Sequence, residues 1–182
     1  MIPPMQAEHR AAAGAEIDDL YRRNVASIHR FCASQLGRDA ADDLTQQTFL
    51  RALAAQDRIP VPAAEARTWL IAIARNLCID SYRRNGRLRR VLDRLGRSAA
   101  APVNVEAVAE QREQLRSVER ALASLRPRER ELIGLRVAAG LSYREMAQIA
   151  GGTEQICKVA THRALVRLRA RLPRALVEEL ES

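Results

Sequence analysis

The chain has 182 residues, of which 47% are hydrophobic and 29% charged, so it can build one globular domain or two small ones and is not wholly disordered. Its formal net charge of +8 favours a polyanionic partner such as nucleic acid, the alternative being a basic protein that is merely soluble. The positive charge falls in two blocks, since residues 66–98 hold 9 basic and 2 acidic groups and residues 126–182 hold 11 and 7. Two anion-binding surfaces are therefore more consistent with the sequence than one diffuse field.

The sequence contains no recognisable catalytic or metal-binding constellation. Cys32, Cys78 and Cys157 are far apart, lack CxxC spacing and do not cluster with the histidines, so neither a disulfide framework nor a zinc site is expected. Their simplest interpretation is reduced, buried thiols in a cytoplasmic protein. We find no nucleophile with a base and no phosphate-binding loop, so we expect no enzyme activity, cofactor, metal ion or small-molecule substrate. No segment predicts a signal peptide or direct membrane insertion.

The N-terminal part predicts a disordered start followed by a helix. Residues 1–15 contain two adjacent prolines and a run of small residues, which indicates a disordered tail. From Glu16 onward, apolar residues recur at helical spacing as far as Leu36, and Gly37 ends the pattern.

A second helix is predicted to start at Asp39, whose side chain can act as the N-cap. It carries the stretch "DDLTQQTFLRALAA", residues 42–55, which has an apolar side and an amide-rich polar side. Amide-rich helix faces of low net charge often meet protein rather than DNA, although a solvated face is equally consistent.

The third predicted helix contains "TWLIAIARNLCIDSYRR", residues 68–84, and is apolar over more than half of its circumference. Such a helix is expected at the centre of a bundle. Its narrow polar strip holds Arg75, Asn76, Asp80 and Arg83 and leads into an arginine-rich segment, so it can follow a nucleic-acid strand. In the alternative interpretation Asp80 merely pairs with Arg84, and the helix's tryptophan is a core anchor.

The C-terminal part predicts a helix-turn-helix. A proline at position 127 suits the first turn of a helix, and Ser142 and Glu145 have the spacing of a capping box that starts the next one. A glycine pair then makes a turn, and Thr153 caps a basic helix. This layout places the second helix in the major groove of DNA.

The basic helix, "EQICKVATHRALVRLR", has one inward stripe and one basic face. Cys157, Thr161, Ala164 and Leu168 share the stripe that faces the core. The basic groups beside it suit phosphates and base edges, the alternative being an ordinary amphipathic helix with a solvated face. These basic residues are Lys158, His162, Arg163 and Arg167.

Together these elements predict an all-α protein of two small helical domains on a flexible basic linker. The linker is rich in arginine and glycine before it turns to alanine and proline, although part of it could form a short solvent-exposed helix. The predicted ranges are a disordered tail at 1–15, an N-terminal helical bundle at 16–85, a linker at 86–112, a helix-turn-helix domain at 113–175 and a C-terminal tail at 176–182.

Three stretches, in this order and at this separation, resemble a bacterial sigma factor of the sigma-70 family, in its extracytoplasmic-function (ECF) group. They are "DDLTQQTFLRAL", "RTWLIAIARNLCIDSYRR" and "LRPRERELIGLRVAAGLSYREMAQIAG" followed by "HRALVRLR". The resemblance covers nearly the whole chain apart from the tail and the linker. It implies a protein that binds core RNA polymerase, directs it to promoters through their −10 and −35 elements and promotes strand opening for transcription initiation.

The resemblance also implies roles for individual residues. The second helix matches the stretch that holds the clamp helices of the polymerase β′ subunit, through Asp43, Leu44, Gln46, Gln47, Phe49, Leu50 and Arg51. The third matches the helix that opens the −10 element and frames a flipped base, through Trp69, Arg75, Asn76, Asp80, Arg83 and Arg84. The basic helix matches the −35 reader, whose domain also sits on the β flap, through Thr153, Lys158, Val159, His162, Arg163 and Arg167. An anti-sigma protein is an implied partner.

The basic helix departs from the family pattern at three successive positions. Val159 and Ala160 stand where small polar or basic residues are usual, and Thr161 stands where a large aliphatic residue is usual. Val159 can contact a thymine methyl group but cannot donate a hydrogen bond. These positions suggest that readout relies on phosphate contacts, van der Waals fit and groove shape. A stand-alone helix-turn-helix regulator is the alternative function, but it leaves the N-terminal domain without a task.

Overall fold

A computed structural model of the chain describes the backbone of residues 4–55, 59, 63–94, 109–174 and 177. These residues form seven α-helices and one π-helical turn, and they contain no β-strand, which confirms the all-α class. The N-terminal half holds α1 (Pro4–Leu36), α2 (Arg38–Ala54) and α3 (Ala63–Arg94). The C-terminal half holds α4 (Ala109–Ala123), α5 (Pro127–Ile133), the π-helical turn (Gly134–Ala138), α6 (Tyr143–Ala150) and α7 (Glu154–Arg169).

Three helix boundaries differ from the sequence prediction. Helix α1 already begins at Pro4, inside the range expected to be a disordered tail, because the run of alanines that follows has high helix propensity. Helix α2 begins at Arg38 with Gly37 as its N-cap, so Asp39 lies in the first turn, where its charge suits the helix dipole. Helix α3 continues to Arg94 and takes in the first part of the predicted linker. Residues 95–108 of the linker and most of the C-terminal tail lie outside the described residues.

The N-terminal half is a three-helix bundle with α3 packed against both α1 and α2. Phe31 of α1 and Leu70, Ile71 and Leu77 of α3 have no exposed surface, as the apolar circumference of α3 predicts. Burying each such side chain contributes about 1.5–3 kcal/mol, so this core accounts for much of the stability of the bundle.

The π-helical turn brings the C-terminal half against the bundle. Its backbone widens so that Ala139 N–H donates to Gly134 O at 2.9 Å, five residues back. Gly134 packs on α1 so closely that a Cβ at this position would lie 2.7 Å from Ser34 Oγ. The absence of a side chain at Gly134 therefore lets the two halves approach.

Residues of the two halves share one hydrophobic core. Leu132, Leu135, Leu141 and Met146 of the C-terminal half belong to the same buried cluster as the residues of the bundle. A smaller cluster lies inside the C-terminal half alone and joins α5 to α7. The helices group into the two halves that the sequence predicts, and in this arrangement the halves are in contact.

Candidate nucleic-acid interface

The turn before α7 has the geometry that the sequence predicts. Gly151 and Gly152 have φ angles of 78° and 99°, in the left-handed region that glycine adopts at low cost. The Thr153 hydroxyl then accepts a hydrogen bond from the backbone N–H of Ile156 at 3.2 Å. At the start of α6, Ser142 and Glu145 form the predicted capping box, with Ser142 N–H donating to the Glu145 carboxylate at 2.7 Å. These caps fix the angle at which α7 leaves the domain.

The inward stripe of α7 is confirmed. Cys157, Thr161 and Ala164 are buried, and Leu168 is half-buried beside them. The opposite face is exposed, and its residues Lys158, His162 and Arg163 make no hydrogen bond or ion pair with any other residue that the structure describes. Their charged and polar groups are thus available to a partner.

Apolar side chains accompany the basic groups on the outer face of α7. Val159 is 39% exposed and Ile156, one turn earlier, is 59% exposed. The sequence analysis missed Ile156, although its i, i+3 spacing from Val159 could have revealed it. A base-edge contact on this face would combine two apolar side chains with flanking positive charge.

Arg167 has a different environment from the other predicted DNA contacts of α7. Its guanidinium pairs with Glu129 of α5, whose side chain is only 12% exposed. Burial raises the pKa of Glu129, but the backbone N–H of Arg126 and the Arg167 guanidinium outweigh it, so that this pKa is lowered overall. Arg167 therefore holds α7 against α5 in this arrangement.

Half of the residues predicted to bind the −10 element lie in a cleft between α3 and α6. Trp69, Arg75 and Asn76 line this cleft from one side, and Glu145 and Gln148 of α6 line it from the other. The cleft has a volume of about 600 Å³. The structure thus brings three of the six predicted residues together, but it places them opposite the C-terminal half.

Arg75 is the most constrained of these residues. It forms an ion pair with Glu131 of α5, and Glu131 also receives a hydrogen bond from Arg128 at 3.0 Å. Two further hydrogen bonds cross the same boundary. Arg67 donates to the backbone carbonyl of Ala139, and the Thr68 hydroxyl donates to Glu145 Oε1 at 3.1 Å. None of these cross-boundary partners could be read from the local sequence.

The remaining predicted −10 residues lie farther along α3. Asp80, Arg83 and Arg84 are exposed, and Arg83 lines a second cavity on the side of α3 that faces α1 and α5. They form a basic surface next to the cleft and are not part of it. The suggested pairing of Asp80 with Arg84 is absent from the ion pairs among the described residues.

A groove of about 730 Å³ lies between α1 and α2, and three of the seven residues predicted to bind polymerase line it. Gln46 and Leu50 line it, and Leu50 is 56% exposed. Tyr21 of α1 packs edge-on against Phe49, with ring centroids 4.7 Å apart, and forms the groove floor with it. Tyr21 and Leu53 are exposed apolar residues of this groove that the sequence analysis did not single out.

Two residues predicted to bind polymerase are core residues. Leu44 is 4% and Phe49 8% exposed, so both stabilise the bundle, and of the two only Phe49 lines the groove. The exposed members of the predicted set are Asp43, Gln46, Gln47, Leu50 and Arg51. The sequence pattern places Leu44 and Leu50 on the same apolar side of α2. Only the packing of α2 on α1 makes Leu44 a core residue and Leu50 a surface residue.

Neither a metal-binding cluster nor a membrane-spanning helix occurs among the described residues. Among them, no three histidine, cysteine, aspartate or glutamate side chains gather closely enough to hold a metal ion. No described helix is both long and apolar enough to cross a membrane.

Two family models match this chain in the order of the structure. Sigma-70 region 2 matches residues 20–88, which cover the second half of α1, all of α2 and most of α3. Sigma-70 region 4 matches residues 115–168, which run from α4 to α7 and include the helix-turn-helix.

Curated proteins and solved structures agree with these matches. The chain is 34% identical over 170 residues to the ECF RNA polymerase sigma factor SigC of Mycobacterium tuberculosis, covering 92% of this chain and 85% of that protein. It is 31% identical over 176 residues to the ECF RNA polymerase sigma factor BldN of Streptomyces coelicolor, covering 93% and 66%. Among solved structures it is similar to the sigma factor RpoE in complex with the anti-sigma factor NepR from Bartonella quintana, with 28% identity, a TM-score of 0.66 and coverage of 86% and 96%.

Proposed function

Because the chain belongs to the sigma-70 family, in its ECF group, and is thus a promoter-recognising sigma factor of RNA polymerase, we propose how its exposed surfaces divide this work. The observation that carries the proposal is the location of three separate surfaces. The α1–α2 groove, the α3 cleft and the outer face of α7 each hold residues that the family resemblance connects with one step of initiation.

The α1–α2 groove binds core polymerase. Its exposed leucines and Tyr21 offer apolar contact, Gln46 offers an amide for hydrogen bonding within the groove, and the exposed Gln47 offers another on the same helix at low net charge. Apolar centres with a polar rim are typical of protein interfaces. The expected partner surface is the clamp-helix region of β′, and the C-terminal half contacts the β flap.

The polar side of α3 holds the −10 element during strand opening. Trp69 and Asn76 provide a ring for stacking and an amide for base-edge hydrogen bonds, and Arg75, Arg83 and Arg84 provide phosphate contacts. Asp80 frames the flipped base. The location of Trp69, Arg75 and Asn76 in one cleft supports this assignment.

The outer face of α7 reads the −35 element. Thr153 caps the helix whose first two turns present Lys158 and Val159, and His162 and Arg163 follow on the same exposed side. Lys158 and Arg163 bind phosphates or guanine edges, while Val159 contacts a thymine methyl group. Arg167 can bind a DNA phosphate at the edge of this surface only after its ion pair with Glu129 has broken.

An anti-sigma protein is the proposed inhibitor of this chain, and the cytoplasm is its proposed location. Support comes from the similar RpoE structure, which is a complex with the anti-sigma factor NepR. The proposed role requires binding and positioning, with no catalytic group of its own.

The stand-alone regulator is the competing function, and it is not favoured because it gives no role to the region 2 match over residues 20–88. Run-off transcription with purified core polymerase tests the assignment, on promoters found by mapping start sites after overexpression. We expect transcripts only when both proteins are present. Tight, sequence-specific binding of promoter duplex by the chain alone, with no effect on core polymerase, would contradict it.

A further inference from the structure

Three exposed residues in the first turns of α7 form a small surface, called here the N-terminal patch, that consists of Gln155, Ile156 and Val159. Val159 lies four residues after Gln155 and three after Ile156, so the helical period places its side chain beside both. Ile156 is 59% and Val159 39% exposed. Apolar side chains scattered singly over a surface need no partner, but neighbouring ones beside an exposed amide indicate a contact surface.

The domain itself does not use the side chains of the N-terminal patch. The inward stripe of α7 supplies the packing against α5 and α6 from the other side of the helix. Ile156 caps the helix through its backbone N–H, which donates to the Thr153 hydroxyl at 3.2 Å. The Gln155 amide makes no hydrogen bond with any residue in the described part of the chain. All three side chains are therefore available to a partner.

The charges around the N-terminal patch favour DNA over a protein surface as that partner. Lys158 and Arg163 are exposed on either side of Val159 and form no ion pair with another described residue. Glu154, which is the single acidic residue of α7, lies toward the inward stripe. An apolar protein surface would desolvate the two cations without pairing them, whereas phosphates border the base edges along the whole major groove.

An A·T base pair carries every group that the N-terminal patch can bind. In the major groove adenine presents its N6 donor beside its N7 acceptor, and the amide of Gln155 matches them with two hydrogen bonds. The thymine of the same pair presents a C5 methyl group, which no other unmodified DNA base has. Ile156 and Val159 can therefore distinguish thymine by apolar contact, and a G·C pair satisfies neither them nor the amide.

The length and stiffness of the N-terminal patch suit neighbouring base pairs. From Gln155 to Val159 the helix rises about 6 Å, and successive base pairs are about 3.4 Å apart, so the patch spans about two base-pair steps. The N-terminal residues of a recognition helix are the ones that contact base edges. Isoleucine and valine in a helix have one strongly preferred χ1 rotamer, so Ile156 and Val159 lose little freedom on contact.

Resting on the proposed assignment of α7 to the −35 element, we propose that the N-terminal patch selects A·T pairs at neighbouring positions of that element. Gln155 binds the N6 and N7 edge of one adenine. Ile156 and Val159 each pack against the methyl group of a thymine. The flanking cations supply affinity for DNA, and the N-terminal patch supplies this part of the sequence preference.

The test measures binding of the reconstituted holoenzyme to a promoter in which deoxyuridine replaces the thymines of the −35 element, so that only methyl groups are lost. With the unmodified chain, binding should weaken about threefold to fivefold for each methyl contact removed. Ile156→Ala and Val159→Ala should each bind the thymine promoter more weakly and lose the deoxyuridine penalty at one position. Gln155→Ala should lose the penalty for a deaza-adenine in which C–H replaces N7.

Val166→Ala is the matched control for the two apolar variants. Val166 is 56% exposed on the same side of α7, but it lies two turns beyond Val159, about 10 Å farther along the helix. It is therefore outside the part of the helix that contacts base edges. The Val166→Ala holoenzyme should show the same deoxyuridine penalty as the unmodified one.

Lys158→Ala separates the failure of this inference from the failure of the −35 assignment. If Lys158→Ala weakens promoter binding but the deoxyuridine penalty is the same in the unmodified chain, Ile156→Ala and Val159→Ala, then α7 reads the element without the N-terminal patch and the inference is overturned. If Lys158→Ala binds the promoter normally, the −35 assignment and the inference fall together. Mapped −35 elements without neighbouring A·T pairs would also overturn the inference.

Discussion

Arg75 of α3 and Glu131 of α5 form an ion pair across the boundary between the two halves, with side chains only 21% and 13% exposed. Arg75 belongs to the surface proposed for the −10 element, so its guanidinium cannot serve Glu131 and a DNA phosphate at once. Contact between this surface and DNA therefore requires the halves to separate.

Glu131→Gln is expected to loosen the boundary between the halves. The change removes the charge partner of both Arg75 and Arg128, and a hydrogen bond to a charged group is worth about 1.5–3 kcal/mol where it is shielded from water. Small-angle scattering should show a larger radius of gyration than for the unmodified chain. Glu113→Gln, which breaks exposed pairs within α4, is the matched control. Equal radii for both variants would mean that this pair does not hold the halves together.

Lys158→Ala and Arg163→Ala are expected to weaken recognition of the −35 element. Each residue is exposed on α7 and makes no hydrogen bond or ion pair with another described residue, so its loss should leave the fold intact. A lost base-edge contact weakens DNA binding by about 1–3 kcal/mol. A lost phosphate contact instead reduces by about one the slope of log binding constant against log salt concentration. Footprinting of the holoenzyme at several salt concentrations separates the two cases.

Arg22→Ala is the control for those two variants because it removes the same charge from the exposed, distant side of α1, where Arg22 pairs with Asp18. Both α7 variants should retain core polymerase. Initiation by both at the normal rate would remove α7 from the −35 assignment.

Leu50→Glu is expected to abolish binding to core polymerase without unfolding the chain. Leu50 is 56% exposed in the α1–α2 groove, so a carboxylate is tolerated in the free protein and disfavoured in an apolar interface. Co-purification with core polymerase measures the loss. Arg22→Glu, on the exposed side of α1 outside the groove, should leave binding intact. Undiminished co-purification of Leu50→Glu would relocate the polymerase contact.

Thr161→Val is expected to raise the melting temperature. The Thr161 hydroxyl is buried without a hydrogen-bond partner, and an isosteric methyl group removes its desolvation cost of about 1–3 kcal/mol. Thr48→Val is the matched comparison, because Thr48 is also fully buried but its hydroxyl donates to Leu44 at 2.7 Å. Thermal unfolding followed by circular dichroism should therefore give opposite signs for the two variants. A lower melting temperature for both would show that Thr161 has a partner in solution.

Glu145 is expected to make the boundary sensitive to acid. Burial raises the pKa of this carboxyl, but hydrogen bonds from Ser142, the contact with Thr68 and the charge of Arg67 outweigh it, so the pKa is lowered overall. A group with a lowered folded pKa stabilises the fold above its ordinary pKa, near 4.5, and that contribution is lost as the pH falls through the folded value. Unfolding measured from pH 6 to pH 3 should depend less steeply on pH in Glu145→Gln. Identical slopes would contradict the prediction.

The helix-turn-helix was predictable because its signals are local. The Ser142–Glu145 capping box and the Thr153 cap each depend on residues within three positions, and both form as the spacing predicts. The inward stripe of α7 follows from the helical period alone, so Cys157 and Thr161 could be assigned to the core from the sequence.

The relation between the halves was not predictable, because it depends on contacts between distant residues. Arg67 meets the carbonyl of Ala139, and Gln35 exchanges hydrogen bonds with Arg130, whose guanidinium donates to the Gln35 carbonyl at 2.9 Å. The same limit applies within α2, where the sequence pattern assigns Leu44 and Leu50 to the same apolar side. Only the position of α1 decides that the first is core and the second is surface.

The shared core also sets a thermodynamic condition on promoter search. If only chains with separated halves bind promoter DNA, the apparent dissociation constant equals the intrinsic constant divided by the fraction of chains in that separated form. A separated fraction of about one in a hundred therefore weakens DNA binding about a hundredfold. Every interaction at the boundary, from Arg75–Glu131 to the contact of Gly134 with α1, therefore helps to set how tightly this chain binds promoter DNA.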